Sequence, residues 1–225
     1  MTFSLIGRCE KTNMVGVAIS SSSISVASRC PWVRAGVGAA STQNVTDPSL
    51  GNLMLDYLEK GLTVNEVINK IIKEQKYIEY RQLLLIDNKG NTSQHTGSKI
   101  LGISGLEKGP NCIAAGNMLK SKKIPKAMID NFANNSDTHL AERLLLALKA
   151  GLEEGGEEGP VHSAGIKVAD NTTWPLVDLR IDWLANQPIE KLYKLWKAFE
   201  PQMKDYKSRA LNPSESPSYG VPGDL

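Results

Sequence analysis

The chain alternates between short apolar runs of strand length and longer stretches with apolar residues at helical spacing. Residues 2–8 start a strand, residues 11–13 supply turn chemistry, and residues 14–19 form an apolar run, which together predict a β-hairpin. Strand patterns recur further along the chain, at residues 35–44, 81–87, 91–96, 111–117, 164–168 and 177–183. We therefore predict a protein built largely from antiparallel strand pairs.

Helical spacing predicts two pairs of helices and a single last helix. The first pair begins at Asp47, with Pro48 in the first turn, and continues at Thr63, where Glu66 completes a capping box. The last helix begins at Pro188. The apolar stripes of the middle pair are residues 127, 128 and 132, and residues 140, 144, 145 and 148.

The order of these elements favours a layered α+β fold. Blocks of helices separate antiparallel strand pairs, whereas parallel β–α–β units would alternate. Two sheets packed face to face with helices outside would bury every apolar face. A chain of 225 residues fits one domain. We predict a domain over residues 1–209 and a Pro- and Ser-rich tail over residues 210–225, which has little capacity to form a core of its own.

Composition excludes several classes of function. The chain has 41% hydrophobic residues, 22% charged residues and a net charge of +2, without a basic stretch interleaved with aromatic residues, so we expect no nucleic-acid partner. No run approaches the ~18 apolar residues of a membrane span. Three cysteines without a C-x-x-C pair, and no secretory pattern, favour a cytoplasmic protein with reduced thiols. The three histidines lack metal-ligand spacing, so we expect no metal and no cofactor.

Thr2 is the first candidate for chemistry. Removal of Met1 would leave Thr2 with both a hydroxyl and a free α-amine, whose pKa of about 7.7–8.0 allows it to accept the hydroxyl proton near neutral pH. A threonine paired with its own amine is an activated nucleophile. The alternative is that Thr2 simply starts a strand, as β-branched residues often do. An intact Met1 would keep the amine in a peptide bond.

Other candidates have both a structural and a chemical interpretation. Residues 20–23 are four serines that either form a plain loop or line a site near the first strand. Gly36 and Gly38 alternate as at a bulge or a close backbone approach, and free N–H groups there would suit an oxyanion hole. Cys30 is a possible nucleophile, although a small buried residue is the favoured role. The acidic segment 151–159 could bind a cation or an amine, but the favoured interpretation is a mobile loop.

Short motifs are spaced along residues 1–200 in the pattern of a known family. They are residues 1–5, 16–18, 31–39, 42–43, 81–83, 95–97, 116–118, 141–145 and 177–182. Together they resemble the bacterial domain-of-unknown-function family numbered 1028, whose members are regarded as similar to N-terminal nucleophile (Ntn) hydrolases. The resemblance implies a four-layer αββα sandwich, with two antiparallel sheets between helical layers. Residues 212–224 resemble the C-terminal extension of longer family members.

The resemblance also implies roles for individual residues. Thr2 corresponds to the catalytic N-terminal threonine, and Arg34 to the basic residue that stabilises the charged nucleophile, here by electrostatics alone because arginine does not release its proton. Ser20 or Ser21 stands where proteasome-type sites use other polar groups. The implied oxyanion or substrate-binding residues are Gly36, Gly38, Gln43, His95 and Asn117.

The expected function is therefore a cytoplasmic amide-bond hydrolase, an amidohydrolase or peptidase, that acts on a small-molecule or peptide amide. A homo-oligomer is expected, because Tyr219 and Val221 of the tail offer apolar surface to a neighbouring copy. The alternatives are a non-catalytic small-molecule-binding or assembly module that retains Met1, and an enzyme that uses Ser21 or Cys30 as an internal nucleophile.

Overall fold

Two antiparallel sheets lie face to face at the centre of the protein in the computed structural model, which describes residues 1–220. The six-stranded sheet has the order β10-β9-β2-β1-β8-β7 and the four-stranded sheet the order β3-β4-β5-β6. The strands of the larger sheet are β1 Thr2–Arg8, β2 Val15–Ser21, β7 Gly105–Gly109, β8 Cys112–Asn117, β9 Ser163–Ala169 and β10 Val177–Ile181. Those of the smaller sheet are β3 Pro31–Arg34, β4 Gly38–Asn44, β5 Arg81–Asp87 and β6 Thr92–Thr96.

Helices cover the outer face of each sheet. Helices α1 Ser49–Glu59 and α2 Val64–Glu74 pack on the four-stranded sheet. The six-stranded sheet is covered by α3 Ile124–Asn134, α4 Leu140–Glu153 and α5 Pro188–Phe199. The predicted four-layer αββα sandwich is confirmed. Among the helices of residues 1–220, none is long and apolar enough to cross a membrane.

The prediction for residues 210–225 was a Pro- and Ser-rich tail with little capacity to form a core of its own. A further helix, α6 Met203–Leu211, extends two residues into this range, and a single helical turn, Pro213–Glu215, follows. The rest of the predicted tail, including Val221, lies outside the described residues. Tyr219 lies within them and is exposed.

Local sequence signals account for the starts of α1 and α2. Asp47 Oδ1 accepts a hydrogen bond from the Ser49 N–H at 3.1 Å at the start of α1, and Thr63 with Glu66 forms the predicted capping box of α2. The predicted strand 35–44 is wrong at its start, because Gly36 (φ 71°) lies in the turn between β3 and β4. Strand β7 was not predicted, since Gly-Leu-Glu-Lys-Gly lacks an apolar face.

Alternation along β1 divides its side chains between two layers. Phe3 and Leu5 join the core beneath α3 and α4, whereas Ile6 packs between the two sheets and Ser4 bonds across to the other sheet. The layer between the sheets is therefore apolar at the end of Ile6 and polar at the end where β1 begins. This polar end contains the candidate site.

Candidate functional site

Thr2 begins the central strand of the larger sheet, between two strand ends that carry polar residues. Its direct cross-strand partners are Ser21 on β2 and Asn117 on β8. Residues directly opposite one another point to the same face, with Cβ atoms ~4.5–5.5 Å apart. The three side chains therefore form one buried row facing the smaller sheet. Ser20 lies opposite Phe3, on the other face, so Ser21 is the serine that joins Thr2.

Met1 is held by groups from three parts of the chain. Its carbonyl oxygen accepts hydrogen bonds from Thr2 Oγ1 at 2.6 Å and from Ser21 Oγ at 2.5 Å. The two hydroxyl oxygens are 3.2 Å apart. The Ser23 N–H donates to Ser21 Oγ at 3.1 Å and so leaves the Ser21 hydrogen for the Met1 carbonyl. The Gly159 N–H donates to Met1 Sδ at 3.2 Å.

Glu157 is a buried carboxyl group beside this N-terminal residue. It is 2% exposed, and its backbone forms an isolated bridge with Leu119. One carboxyl oxygen, Oε2, accepts from the Ser22 N–H at 3.2 Å, while Oε1 has no hydrogen-bond partner among residues 1–220. Burial raises the pKa of Glu157 to about 7, against the opposing effect of the positive Met1 amine.

Glu157 corrects the interpretation of residues 151–159 as a mobile acidic loop. The other three glutamates of the segment, at positions 153, 154 and 158, are exposed as that interpretation requires. Glu157 alone turns inward, because the loop pairs with Leu119. No local pattern in the sequence distinguishes Glu157 from the neighbouring glutamates. The sequence pointed to Glu157 only through the alternative interpretation of the whole loop as a cation or amine site.

A network of buried amides and hydroxyls extends from the Thr2 row to the smaller sheet. Ser4 Oγ donates to Gln43 Oε1 at 2.7 Å, and Gln43 Nε2 donates to Gln82 Oε1 at 2.7 Å. Asn117 Nδ2 also donates to Gln82 Oε1, at 3.2 Å. Gln43 is thus bonded at both ends of its amide. Asn117 Oδ1 is buried without a hydrogen-bond partner in the described part of the chain, which makes it the free acceptor of the row.

Arg34, Gly36 and Gly38 lie at the opposite end of the sandwich. Gly38 is five residues from Gln43 along β4, roughly 17 Å for an extended strand. Arg34 forms ion pairs of 2.8 Å with Asp56 and 2.8 Å with Glu59. The structure therefore does not bring the predicted arginine or the predicted glycine N–H groups to Thr2.

The two glycines have structural explanations. A Cβ at Gly38 would lie 2.2 Å from the carbonyl oxygen of Ile86 on the neighbouring strand. Gly36 adopts a positive φ in the turn that precedes β4. The chain therefore needs both glycines for the β3–β4 hairpin and its pairing with β5.

His95 also lies away from Thr2. It is opposite Leu83, which packs against α1 and α2, so both face the helical layer outside the smaller sheet. Its Nε2 lies 3.1 Å from the carbonyl oxygen of Ile78. This contact accounts for His95 as a structural residue.

Cys30 is buried, with Ile19 and Val26 as neighbours. Burial raises its pKa to about 11, which keeps the group as a thiol near neutral pH. This protonation state disfavours Cys30 as an internal nucleophile. Within residues 1–220, no three His, Cys, Asp or Glu side chains converge as ligands for one metal ion.

Comparison with known proteins gives a family and a solved structure from the same family. The model of a family of unknown function, DUF1028, matches residues 2–192. The crystal structure of the DUF1028 protein SPO2555 from Silicibacter pomeroyi has a TM-score of 0.81 at 29% identity, with 88% of each chain covered. No protein with a curated description matches the chain.

Two further structures are more distant. Anbu (ancestral beta-subunit) from Yersinia bercovieri has a TM-score of 0.40 at 12% identity, covering 91% of this chain and 97% of its own. An Anbu (Gly-1) mutant from Hyphomicrobium sp. strain MC1 has a TM-score of 0.38 at 13% identity, covering 90% and 96%. Both are too remote to indicate an activity for this chain.

Proposed function

The chain belongs to the DUF1028 family of unknown function, and from this premise we propose that it is an amide-bond hydrolase whose nucleophile is Thr2 Oγ1 after removal of Met1. The supporting observation is the position of Met1. Its carbonyl oxygen lies between the hydroxyls of Thr2 and Ser21, at 2.6 and 2.5 Å, at the buried polar end of the sandwich. A carbonyl held there is next to a nucleophile and a second donor.

The first step begins when the peptide bond between Met1 and Thr2 has been cut. The free Thr2 amine accepts the proton of its own hydroxyl, and Oγ1 attacks the substrate carbonyl carbon. The amide C–N bond then breaks, and the leaving amine takes the proton from the Thr2 ammonium. Water subsequently hydrolyses the Thr2 ester, which releases the acid and restores the hydroxyl.

Ser21 and Asn117 have distinct roles in this mechanism. The Ser21 hydroxyl donates to the substrate oxygen, as it donates to the Met1 oxygen, and stabilises the negative charge of the tetrahedral intermediate. Asn117 Oδ1, the free acceptor opposite Thr2, accepts from the amine and directs its lone pair toward the hydroxyl. Gln82 holds Asn117 through its Nδ2, and Arg34 has no role.

The proposal is tested on protein in which Thr2 is the first residue, as established by intact mass. Release of amine from a panel of amides is measured for the wild type, Thr2→Ser, Thr2→Ala and Ser21→Ala. Turnover is expected in the wild type and Thr2→Ser. Thr2→Ala lowers kcat by more than about 10³-fold. Ser21→Ala lowers it by about 10²–10³-fold, as expected for the loss of one oxyanion donor. Arg34→Ala serves as the matched control and retains the wild-type rate.

Two results would refute this function. One is a Thr2→Ala protein as active as the wild type. The other is a processed wild type that hydrolyses no amide while remaining folded by circular dichroism.

A non-catalytic module that keeps Met1 is the second candidate. The hydrogen bonds to the Met1 carbonyl and thioether favour it, because they integrate Met1 into the fold. It predicts that protein from native cells retains Met1. It also predicts that removal of Met1 destabilises the chain without producing any hydrolysis.

A further inference from the structure

Two parts of the Met1 residue, its carbonyl and its thioether, form hydrogen bonds with the rest of the chain. The carbonyl oxygen accepts from two hydroxyls, those of Thr2 and Ser21. The thioether sulfur accepts from the Gly159 N–H. The buried carboxyl group of Glu157 lies on the same loop as Gly159, two residues before it, and has one unpaired oxygen among residues 1–220. The acyl group of Met1 is thus bound at its carbonyl and its side chain, with this carboxyl group nearby.

The Met1 side chain packs directly on Gly159. A Cβ built at Gly159 would lie 2.7 Å from Met1 Cε, so the end of a methionine-length side chain would have to shift to make room for it. A surface depression lined by Glu157, Gly159, Val161 and Asn186 opens next to this contact. The loop after α4 therefore accommodates an unbranched apolar side chain of about this length, and the depression lies on the same loop.

The proposed binding of an amine relies on the carboxyl group of Glu157, which is buried and has an oxygen unpaired within the described residues. Glu157 is 2% exposed and its Oε1 has no hydrogen-bond partner in the part of the chain that the structure describes. A buried carboxyl with a free oxygen is costly unless a donor or a cation approaches it. Glu157 Oε2 accepts from the Ser22 N–H, whereas Oε1 is unpaired among residues 1–220 and is available to an amine.

An acyl group on the Thr2 nitrogen and an acyl group on Thr2 Oγ1 occupy nearly the same space. The two atoms belong to one 1,2-amino alcohol, and the acyl carbon passes between them through a five-membered ring. The surroundings of Met1 are therefore also the surroundings of an acyl group carried as an ester by Oγ1.

We propose that Met1 occupies an aminoacyl subsite, and that the substrates are α-aminoacyl amides with a free amine and an unbranched apolar side chain. Such substrates include amino-acid amides, and also peptides, in which the N-terminal residue would be released. Glu157 binds the substrate ammonium, and Gly159 admits the side chain. This inference rests on the proposed function for the reaction itself, but the subsite also predicts binding without turnover.

Binding is measured first, because it does not require hydrolysis. The Thr2→Ala protein that begins at residue 2 is titrated by calorimetry with L-methioninamide and with N-acetyl-L-methioninamide. The free amine is expected to bind at least about 10-fold more tightly, since truncating or neutralising one partner of a buried charge pair weakens binding strongly. Glu157→Gln, made in the same background, removes this preference. Glu154→Gln, an equal charge change at an exposed position of the same loop, keeps it.

Turnover is measured second, with methionine p-nitroanilide and its N-acetyl form on the processed wild type. The ratio of kcat/KM favours the free amine by at least about 10-fold, and Glu157→Gln lowers only the rate with the free amine. Gly159→Ala lowers kcat/KM for methionyl more than for alanyl p-nitroanilide, because only the longer side chain reaches the new methyl group.

The inference is overturned if L-methioninamide does not bind, or if both ligands bind equally well. It is also overturned if Glu157→Gln keeps the preference for a free amine. Amide hydrolysis that prefers N-acetylated substrates would support the proposed function and refute the subsite. Binding with the expected preference, but without hydrolysis by the processed wild type, would support the subsite and refute the proposed function.

Discussion

Glu157 gives the polar end of the sandwich an unusual electrostatic property at the level of a single residue. Its carboxyl group is buried, one of its oxygens is unpaired among residues 1–220, and burial raises its pKa to about 7. The unfolded chain releases the same proton near the ordinary value of 4.5. Between these two pH values the folded protein binds a proton that the unfolded chain does not, so the free energy of unfolding falls as the pH rises.

Glu157→Gln is therefore expected to stabilise the protein at high pH. At pH 8 the variant avoids a buried charge that costs the wild type about 3 kcal/mol, and the advantage disappears as the pH falls to about 4.5. Urea unfolding at pH 4.5, 6 and 8, on protein that retains Met1, measures the difference. Glu154→Gln is the control and shows no such pH dependence. An advantage of equal size at pH 4.5 and pH 8 would contradict the argument.

The sequence identified only some of the residues of the candidate site. Thr2 was a candidate because removal of Met1 would free its amine, Ser21 because it belongs to the serine cluster at residues 20–23, and Asn117 because the family resemblance implies it. Their convergence requires the β2-β1-β8 order, which depends on contacts distant in sequence. Arg34 was named from its order along the chain in a related fold, but β3 runs away from the start of β1, and its guanidinium pairs with α1.

The packing of α1 on β3 illustrates how one residue decides the contact between two elements. Gly51 lies in the first turn of α1, and even in a helix interior glycine is less favourable than alanine by only about 0.8–1.0 kcal/mol. A Cβ at this position would lie 2.0 Å from Cδ1 of Trp32. The glycine therefore permits the helix to approach the indole ring.

Gly51→Ala is predicted to destabilise the protein despite the better helix propensity of alanine. Overpacking of this kind costs about 1–3 kcal/mol, which exceeds the gain of up to about 1 kcal/mol from propensity. Thermal unfolding measures the sign. Asn52→Ala, an exposed position of the same helix, is the control and is expected to be neutral or slightly stabilising. A Gly51→Ala protein more stable than the wild type would show that Trp32 moves at little cost.

Elements with strong local signals were predicted well, and those without them were not. The capping box at Thr63 and the β5–β6 hairpin follow from side chains close in sequence. Strand β7 lies at the edge of the larger sheet and, within residues 1–220, pairs with β8 alone, and its sequence resembles a loop. Its existence depends on β8 being available as a template, which no local pattern encodes.

Across the whole molecule, the layer between the two sheets differs at its two ends. One end is packed with aliphatic side chains such as Ile6 and Leu84, each worth roughly 1.5–3 kcal/mol on burial. The other end joins the sheets through hydrogen bonds between buried amides, with Gln43 and Gln82 at the centre. The chemistry proposed for Thr2 requires such a polar region, and the packed apolar end holds the two sheets together beside it.

The last prediction concerns the coupling between the sheets through these amides. Gln82→Ala removes the acceptor shared by Gln43 Nε2 and Asn117 Nδ2, and each donor that is left buried and unpaired costs about 1–3 kcal/mol. We expect a destabilisation of about 2–5 kcal/mol. Gln43→Ala removes one of the donors that depends on Gln82. The double variant is therefore less destabilised than the sum of the single variants, by about 1–3 kcal/mol.

This double-mutant cycle is measured by urea unfolding of the wild type, the two single variants and the double variant. Gln202 is an exposed glutamine, and Gln202→Ala is the control, expected to change the free energy of unfolding by no more than about 0.5 kcal/mol. Effects that add within about 0.5 kcal/mol would mean that the two glutamines stabilise the protein independently. In that case the polar end would be a set of separate contacts. A clear coupling would instead identify it as one cooperative unit that holds Asn117 in place opposite Thr2, because the same Gln82 oxygen binds both amides.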